Sequence, residues 1–122
     1  MSENPNFDQK EFDEAVKQAK ADNASAYTHV FKKPFLYDGK EYKELHFDFD
    51  KLTGEDSLNV EDELAAQGIM VMVPTFSGQY LIRIAARACQ EPIGSDAFKR
   101  MRIADMNRIR TKTRNFMLDS EQ

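Results

Sequence analysis

The chain has 122 residues, 41% of them hydrophobic and 31% charged, with a net charge of −4. That suffices for one domain with its own core, and no run approaches the roughly 20 apolar residues of a membrane-spanning helix. Cys89 is the only cysteine, so an internal disulfide and a cysteine-based metal cluster are excluded within these residues. The first residues, MSENPNFDQK, show no basic stretch leading into an apolar block, so no secretory signal is expected and the cytoplasm is the expected compartment.

The net charge hides a split. Residues 79–118 hold 9 basic and 3 acidic side chains, a balance of +6, against 8 basic and 18 acidic elsewhere, a balance of −10. The outer basic residues are all lysines, whereas seven of the nine in the C-terminal segment are arginines. Arginine offers a rigid multi-donor fork that sheds water more easily, so the basic end is suited to contact.

Residues 1–26 are polar and acidic, and read as a weak helix around Phe12 and Val16 or as a segment without fixed structure. The run from Phe31 to Phe49 reads as an aromatic β-hairpin turning at Asp38-Gly39. Phe31, Phe35, Leu45, Phe47 and Phe49 carry odd numbers and share a face only if odd pairs with odd. A two-residue loop would split them, so a three-residue loop, Tyr37-Asp38-Gly39, is expected, with Gly39 at positive φ and Phe31 facing Leu45. Lys32, Pro34, Tyr42, His46 and Asp48 would then form the wetter face, and Pro34 would mark an edge strand.

Thr53 is a good N-cap for a helix with Glu55 and Asp56 in its first turn, and Gly68 is a plausible stop. The apolar run Ile69 to Val73 fits either a short buried strand or an exposed apolar loop. A helix is expected from about Thr75–Ser77 to Gln90, apolar over two thirds of its circumference, with Arg83 and Arg87 on the remaining polar stripe. Pro92 and Gly94 end it. A short helix capped by Ser95 or Asp96 runs to Met101, and a last helix, about Ile103–Leu118, sets Ile103, Met106, Ile109, Thr113, Phe116 and Met117 opposite Arg108 and Lys112.

Catalytic signatures are lacking. Two histidines, His29 and His46, make a poor zinc site without a third ligand, and the carboxylates Asp48, Asp50, Glu55 and Asp56 lack the spacing and glycine of an EF-hand loop. There is no phosphate-binding glycine loop, nucleophile elbow or zinc-protease helix, and Cys89 sits on an apolar helix face. No enzyme, metal or cofactor is expected. The basic C-terminal helix could suit nucleic acid, but its cations diverge round the helix and the acidic remainder would repel phosphate.

Residues 30–109 resemble the tail assembly chaperones of tailed phages and prophages, particularly the Mu-like type. The resemblance lies in segment order: Pro34-Phe35, Tyr37-Asp38-Gly39-Lys40, Tyr42 and Leu45; Leu52-Thr53-Gly54 with Asp56; Tyr80-Leu81 with Ile84-Ala85-Ala86-Arg87; Pro92-Ile93; and Asp105 with Ile109. It implies a non-enzymatic protein that binds the long helical tape-measure protein until tail-tube subunits replace it, acting in the host cytoplasm and absent from the mature virion. A helix-binding chaperone needs accessible apolar side chains, and methionine adapts to many partners. Ile69, Met70, Met72 and Phe76 are the candidate client contacts, with ordinary core packing as the other reading of each, and Arg108 and Lys112 the candidate charged contacts of a homo-oligomer. A nucleic-acid-binding regulator and a structural virion subunit are the alternatives.

The expected architecture is α+β: an N-terminal β-hairpin packed on a bundle of three to four α-helices, with residues 27–118 as one domain after the polar segment 1–26 and before a tail, 119–122.

Overall fold

Asp38 and Gly39, both at positive φ (51° and 75°), turn β1 (Ala26–Tyr37) directly into β2 (Lys40–Asp48). This is the two-residue hairpin loop that Asp-Gly favours, with Tyr37 paired to Lys40, and not the three-residue loop expected from parity. The parity constraint is met elsewhere in the strand. Phe35 pairs with Tyr42, odd with even; then residues 31–34 of β1 lie opposite Lys43 alone; beyond this bulge His29 pairs with Leu45 and Tyr27 with Phe47, odd with odd. Leu45 therefore faces His29 rather than Phe31, and Tyr42 points into the core instead of joining the wet face. Pro34 sits in the bulge, where its missing N–H leaves no ladder bond unmade.

The computed structural model describes Lys10 and residues 25–120, so nearly all of the 1–26 segment lies outside the described residues. After β2 a single 3-10 turn (Phe49–Lys51) leads into α1 (Gly54–Ala66), followed by a second such turn (Pro74–Phe76), α2 (Gly78–Ala88), α3 (Ser95–Arg100) and α4 (Ile103–Ser120). The fold is α+β, an antiparallel two-stranded hairpin followed by four helices. No described helix is long and apolar enough to cross a membrane.

The helix ends follow from local chemistry. At the start of α1 the Asp56 carboxylate accepts from the Thr53 backbone N–H at 2.8 Å, and its negative charge lies at the positive end of the helix dipole. At the other end Gly68, at φ 72°, lets its own N–H reach the Ala65 carbonyl and that of Ile69 reach Leu64. That pair of hydrogen bonds closes the helix and folds Ile69 back onto it. Ser77 caps α2 by accepting from the Tyr80 N–H at 3.2 Å.

The second helix is the centre of the domain. One face, with Ile82, Ala85 and Ala88, packs on Leu45, Phe47 and Phe49 of the hairpin side, together with Phe98 of α3 and Ile109 of α4. Its other face, with Tyr80, Leu81 and Ile84, packs on Val60 and Leu64 of α1. The polar stripe is not left in water. Arg83 is 5% exposed, donating to the Gln79 carbonyl and to the side chains of Gln79 and Gln67, and Arg87 bridges Asp56 and Glu63 at 3.0 and 2.9 Å. Along α4, Ile109 and Thr113 are buried as expected, but Ile103, the first residue of the helix, is exposed.

The far edge of β2 is covered after α2, where Cys89 bridges Phe47, the Gln90 N–H donates to the His46 carbonyl at 2.8 Å, and the Glu91 carboxylate accepts from the His46 N–H at 2.7 Å.

Candidate functional site

The segment between α1 and α2 is the most conspicuous apolar surface among the described residues. With Ile69 pinned by the Gly68 closure, the side chains that follow alternate between partly buried and exposed. Ile69 and Val71 turn inward against the Val60, Leu64 and Leu81 cluster, while Met70 and Met72 are each 83% exposed. Val73 and Phe76 continue the surface, exposed at 52% and 61%. The segment is anchored at both ends. Phe76 N–H donates to the Val73 carbonyl and Ser77 N–H to the Pro74 carbonyl, each at 3.0 Å, and Ser77 is already the cap of α2. A recess of about 210 Å³, lined by Leu64, Ile69, Val71 and Pro74 among others, adjoins the exposed methionines. Four large apolar side chains are thus held out to solvent by a framework fixed on either side.

Arg114 of α4 lies over the exposed Phe76 ring, its guanidinium carbon 6.0 Å from the ring centre. One turn earlier, Arg110 lies against Gly78, so close that a methyl group there would stand 3.4 Å from the guanidinium carbon.

The predicted charged contacts lie on another face of the same helix. Arg108 and Lys112, roughly 200° round from Arg110 and Arg114 respectively, border a shallow recess beside Tyr27. The Lys112 ammonium sits 5.3 Å from the centre of the Tyr27 ring, and burial there pulls its pKa below the usual lysine range. Of the predicted contacts, Met70, Met72 and Phe76 are therefore each exposed, Ile69 is partly buried against the α1 and α2 cluster, and Arg108 and Lys112 form a separate basic patch. Sequence reasoning missed Val73, Arg110 and Arg114. The signal for the two arginines was their own i, i+4 spacing on the side of α4 away from Arg108.

A polar chain runs through the interior behind that second patch. His29, 1% exposed, meets Asp105 of α4 through Nε2 at 2.8 Å and the Tyr27 hydroxyl through Nδ1 at 2.9 Å. With the ring neutral, Nε2–H donates to the carboxylate and Nδ1 accepts from the hydroxyl. Burial pushes the His29 pKa below its ordinary value, a push that the Asp105 hydrogen bond opposes. Both ring nitrogens are occupied internally, so the chain works as a strut between β1 and α4.

His46 lies instead at the sheet surface, between Glu91 at 2.6 Å and Glu44 at 3.1 Å, and the Glu91 hydrogen bond raises its pKa. Two of the four junction carboxylates serve local structure, Asp48 accepting from the Asp50 N–H at 3.1 Å and Asp56 capping α1. No group of three or more His, Cys, Asp or Glu side chains placed to hold a metal ion occurs among the described residues. Burial pushes the Cys89 thiol up to about 12, so it stays protonated and unreactive at neutral pH.

Comparison with family models, with characterised proteins and with solved structures finds no match to this chain.

Proposed function

We propose that this protein is a non-catalytic assembly chaperone of the phage tail class, which binds the tape-measure protein and keeps it soluble while the tail tube is built. The observation that carries the reading is the exposed apolar surface of Met70, Met72, Val73 and Phe76. Exposed apolar side chains this close in the chain, held on anchored backbone, suit a partner, and two unbranched thioethers let them adapt to successive segments of a long helical client. The order of motifs along residues 30–109 supports the choice of client. On this reading the protein works in the host cytoplasm and leaves before the virion is complete. It also works as a homo-oligomer, the basic patch at Arg108 and Lys112 of one copy meeting the acidic outer face of α1 on the next.

Co-expression with the tape-measure protein tests the proposal. The chaperone should keep the client in the soluble fraction and co-purify with it, and purified virions should lack it. Recovery of the protein from virions at stoichiometric amounts would make it a structural subunit. Salt-sensitive binding to DNA or RNA, with no effect on the client's solubility, would favour the regulator.

A further inference from the structure

The exposed apolar surface does not end at Phe76. Ser77 and Gly78, the next residues, form one lip of a cavity of about 400 Å³ between α2, α3 and α4, with Ile82, Phe98 and Met106 as apolar lining and Lys99 at its border. Arg110 touches the same lip at Gly78, and Arg114 covers Phe76 beside it. Three cations thus stand beside a cavity whose lining joins the apolar Ile82, Phe98 and Met106 to the polar Ser77 and Gln79. The cavity lining contains no carboxylate, and none of Lys99, Arg110 and Arg114 makes an ion pair with a described residue.

From this arrangement we infer that the occupant is an acidic amphipathic helix, its apolar stripe laid across Met72 and Phe76 into the cavity and its flanking carboxylates set against Lys99, Arg110 and Arg114. This rests on the client-binding reading and specifies which client segments bind. A helical occupant suits this cavity because its walls are helices and side chains. They offer no open strand edge to pair with an extended backbone, so the guest has to satisfy its own peptide groups. It must be acidic because a basic guest would bring like charges beside three unneutralised cations, whereas carboxylates there gain charge-assisted hydrogen bonds. Ile82, Phe98 and Met106 in the lining favour an apolar side chain over a phosphate as the inserted group, and the DNA competition below distinguishes the two.

The test uses the full chain and two fluorescein-labelled model helices that share leucines at i, i+3, i+4 and i+7 but carry either Glu or Lys on both flanks. Fluorescence polarisation at low salt should show the Glu-flanked helix binding at least about tenfold more tightly than the Lys-flanked one. Replacing Lys99→Gln, Arg110→Gln and Arg114→Gln together should bring the two affinities within about twofold, with the far-UV circular dichroism unchanged. Arg114→Gln alone, which leaves Arg110 against Gly78, should move the ratio in the same direction should the triple variant fold poorly. Equal binding of the two helices, or a preference that survives neutralisation, would overturn the inference. Equal binding that is lost in the Met70→Asp, Met72→Asp variant would leave the client reading standing and this inference fallen. Binding of neither helix would count against both. Displacement of the Glu-flanked helix by a short single-stranded DNA at physiological salt would assign the cations to phosphate and overturn it.

Discussion

His29 and Asp105, 76 residues apart in the chain, meet at 2.8 Å in the interior and tie the hairpin to the last helix. Replacing His29→Ala leaves the Asp105 carboxylate without its buried donor and opens a void, so urea unfolding should show a loss of about 2–3 kcal/mol. An unchanged urea midpoint would mean that water takes the place of the imidazole without cost.

The same pair sets a pH dependence whose sign can be stated. The folded pKa of His29 lies below its ordinary 6.5, so the unfolded chain binds the proton more readily, and the His29 contribution is present above about 6.5 and is lost as pH falls from there through the lower folded value. Asp105 favours the charged ring, while burial and Arg108 oppose it. His46 works in the other direction. Its raised pKa gives a contribution present below about 6.5 and lost as pH rises through the folded value. A His46→Gln background removes the opposing group. In it the urea midpoint should fall from about pH 7.5 to about pH 5.5, and adding His29→Gln should flatten that slope. A slope that persists in the double variant would trace to other groups.

Gly39 stands at φ 75° with nothing within 4 Å of the position a Cβ would take, so any penalty for a side chain there is conformational and not steric crowding by neighbours. Gly39→Val should cost about 1–2 kcal/mol, because a branched residue resists the left-handed region. Asp38, already at φ 51°, is a residue that tolerates this region, so Asp38→Asn should change the unfolding midpoint little. Equal midpoints for Gly39→Val and the parent would show that the turn relaxes to another type.

Much of this architecture is legible in local chemistry. Thr53 with Asp56, Gly68 and Ser77 each solve the problem of unpaired backbone groups at a helix end, a problem whose solutions involve few residue types. The burial of α2 is likewise visible in its periodicity. The hairpin register is less so: the odd-numbered aromatics require that parity be set once, but a loop and a bulge both set it, and only Pro34 hints at where the ladder is interrupted. The buried Arg83 was hidden for a related reason. A charge on a narrow polar stripe reads as solvent-facing until Gln67, at the end of another helix, is seen to meet it. The candidate surface divides in the same way. That Ile69 to Val73 form an apolar run was present in the sequence, whereas which of them face outward, and which basic residues of α4 lie beside Phe76, depend on how the segment and that helix pack against their neighbours.

Met70 and Met72, each 83% exposed, allow a separation of folding from binding. Met70→Asp with Met72→Asp removes apolar surface that touches water in the folded protein, so stability should stay within about 0.5 kcal/mol of the parent. Client binding in the pull-down should be lost. Ile69→Asp is the contrasting change, since Ile69 packs on the α1 and α2 cluster, and it should lower the melting temperature markedly. A double methionine variant that melts normally and still holds the tape-measure protein would remove these residues from the client surface.

Charge asymmetry makes a last prediction about assembly. Arg108 is exposed on α4, with Lys112 beside it over Tyr27, while Glu55, Glu61 and Asp62 are exposed on α1. Two unlike patches on one chain pair head to tail, and such contacts propagate into a closed ring or an open helical array rather than stopping at a symmetric dimer. Light scattering at low salt should therefore show a mass that grows with protein concentration. The growth should fade as salt is raised, since exposed charges are screened over about 8 Å at physiological ionic strength and about 3 Å at 1 M. Arg108→Glu with Lys112→Glu should give a folded monomer, and adding Glu61→Lys with Asp62→Lys to that variant should restore association by swapping the signs. A parent protein that stays monomeric at low salt and high concentration would rule out this contact.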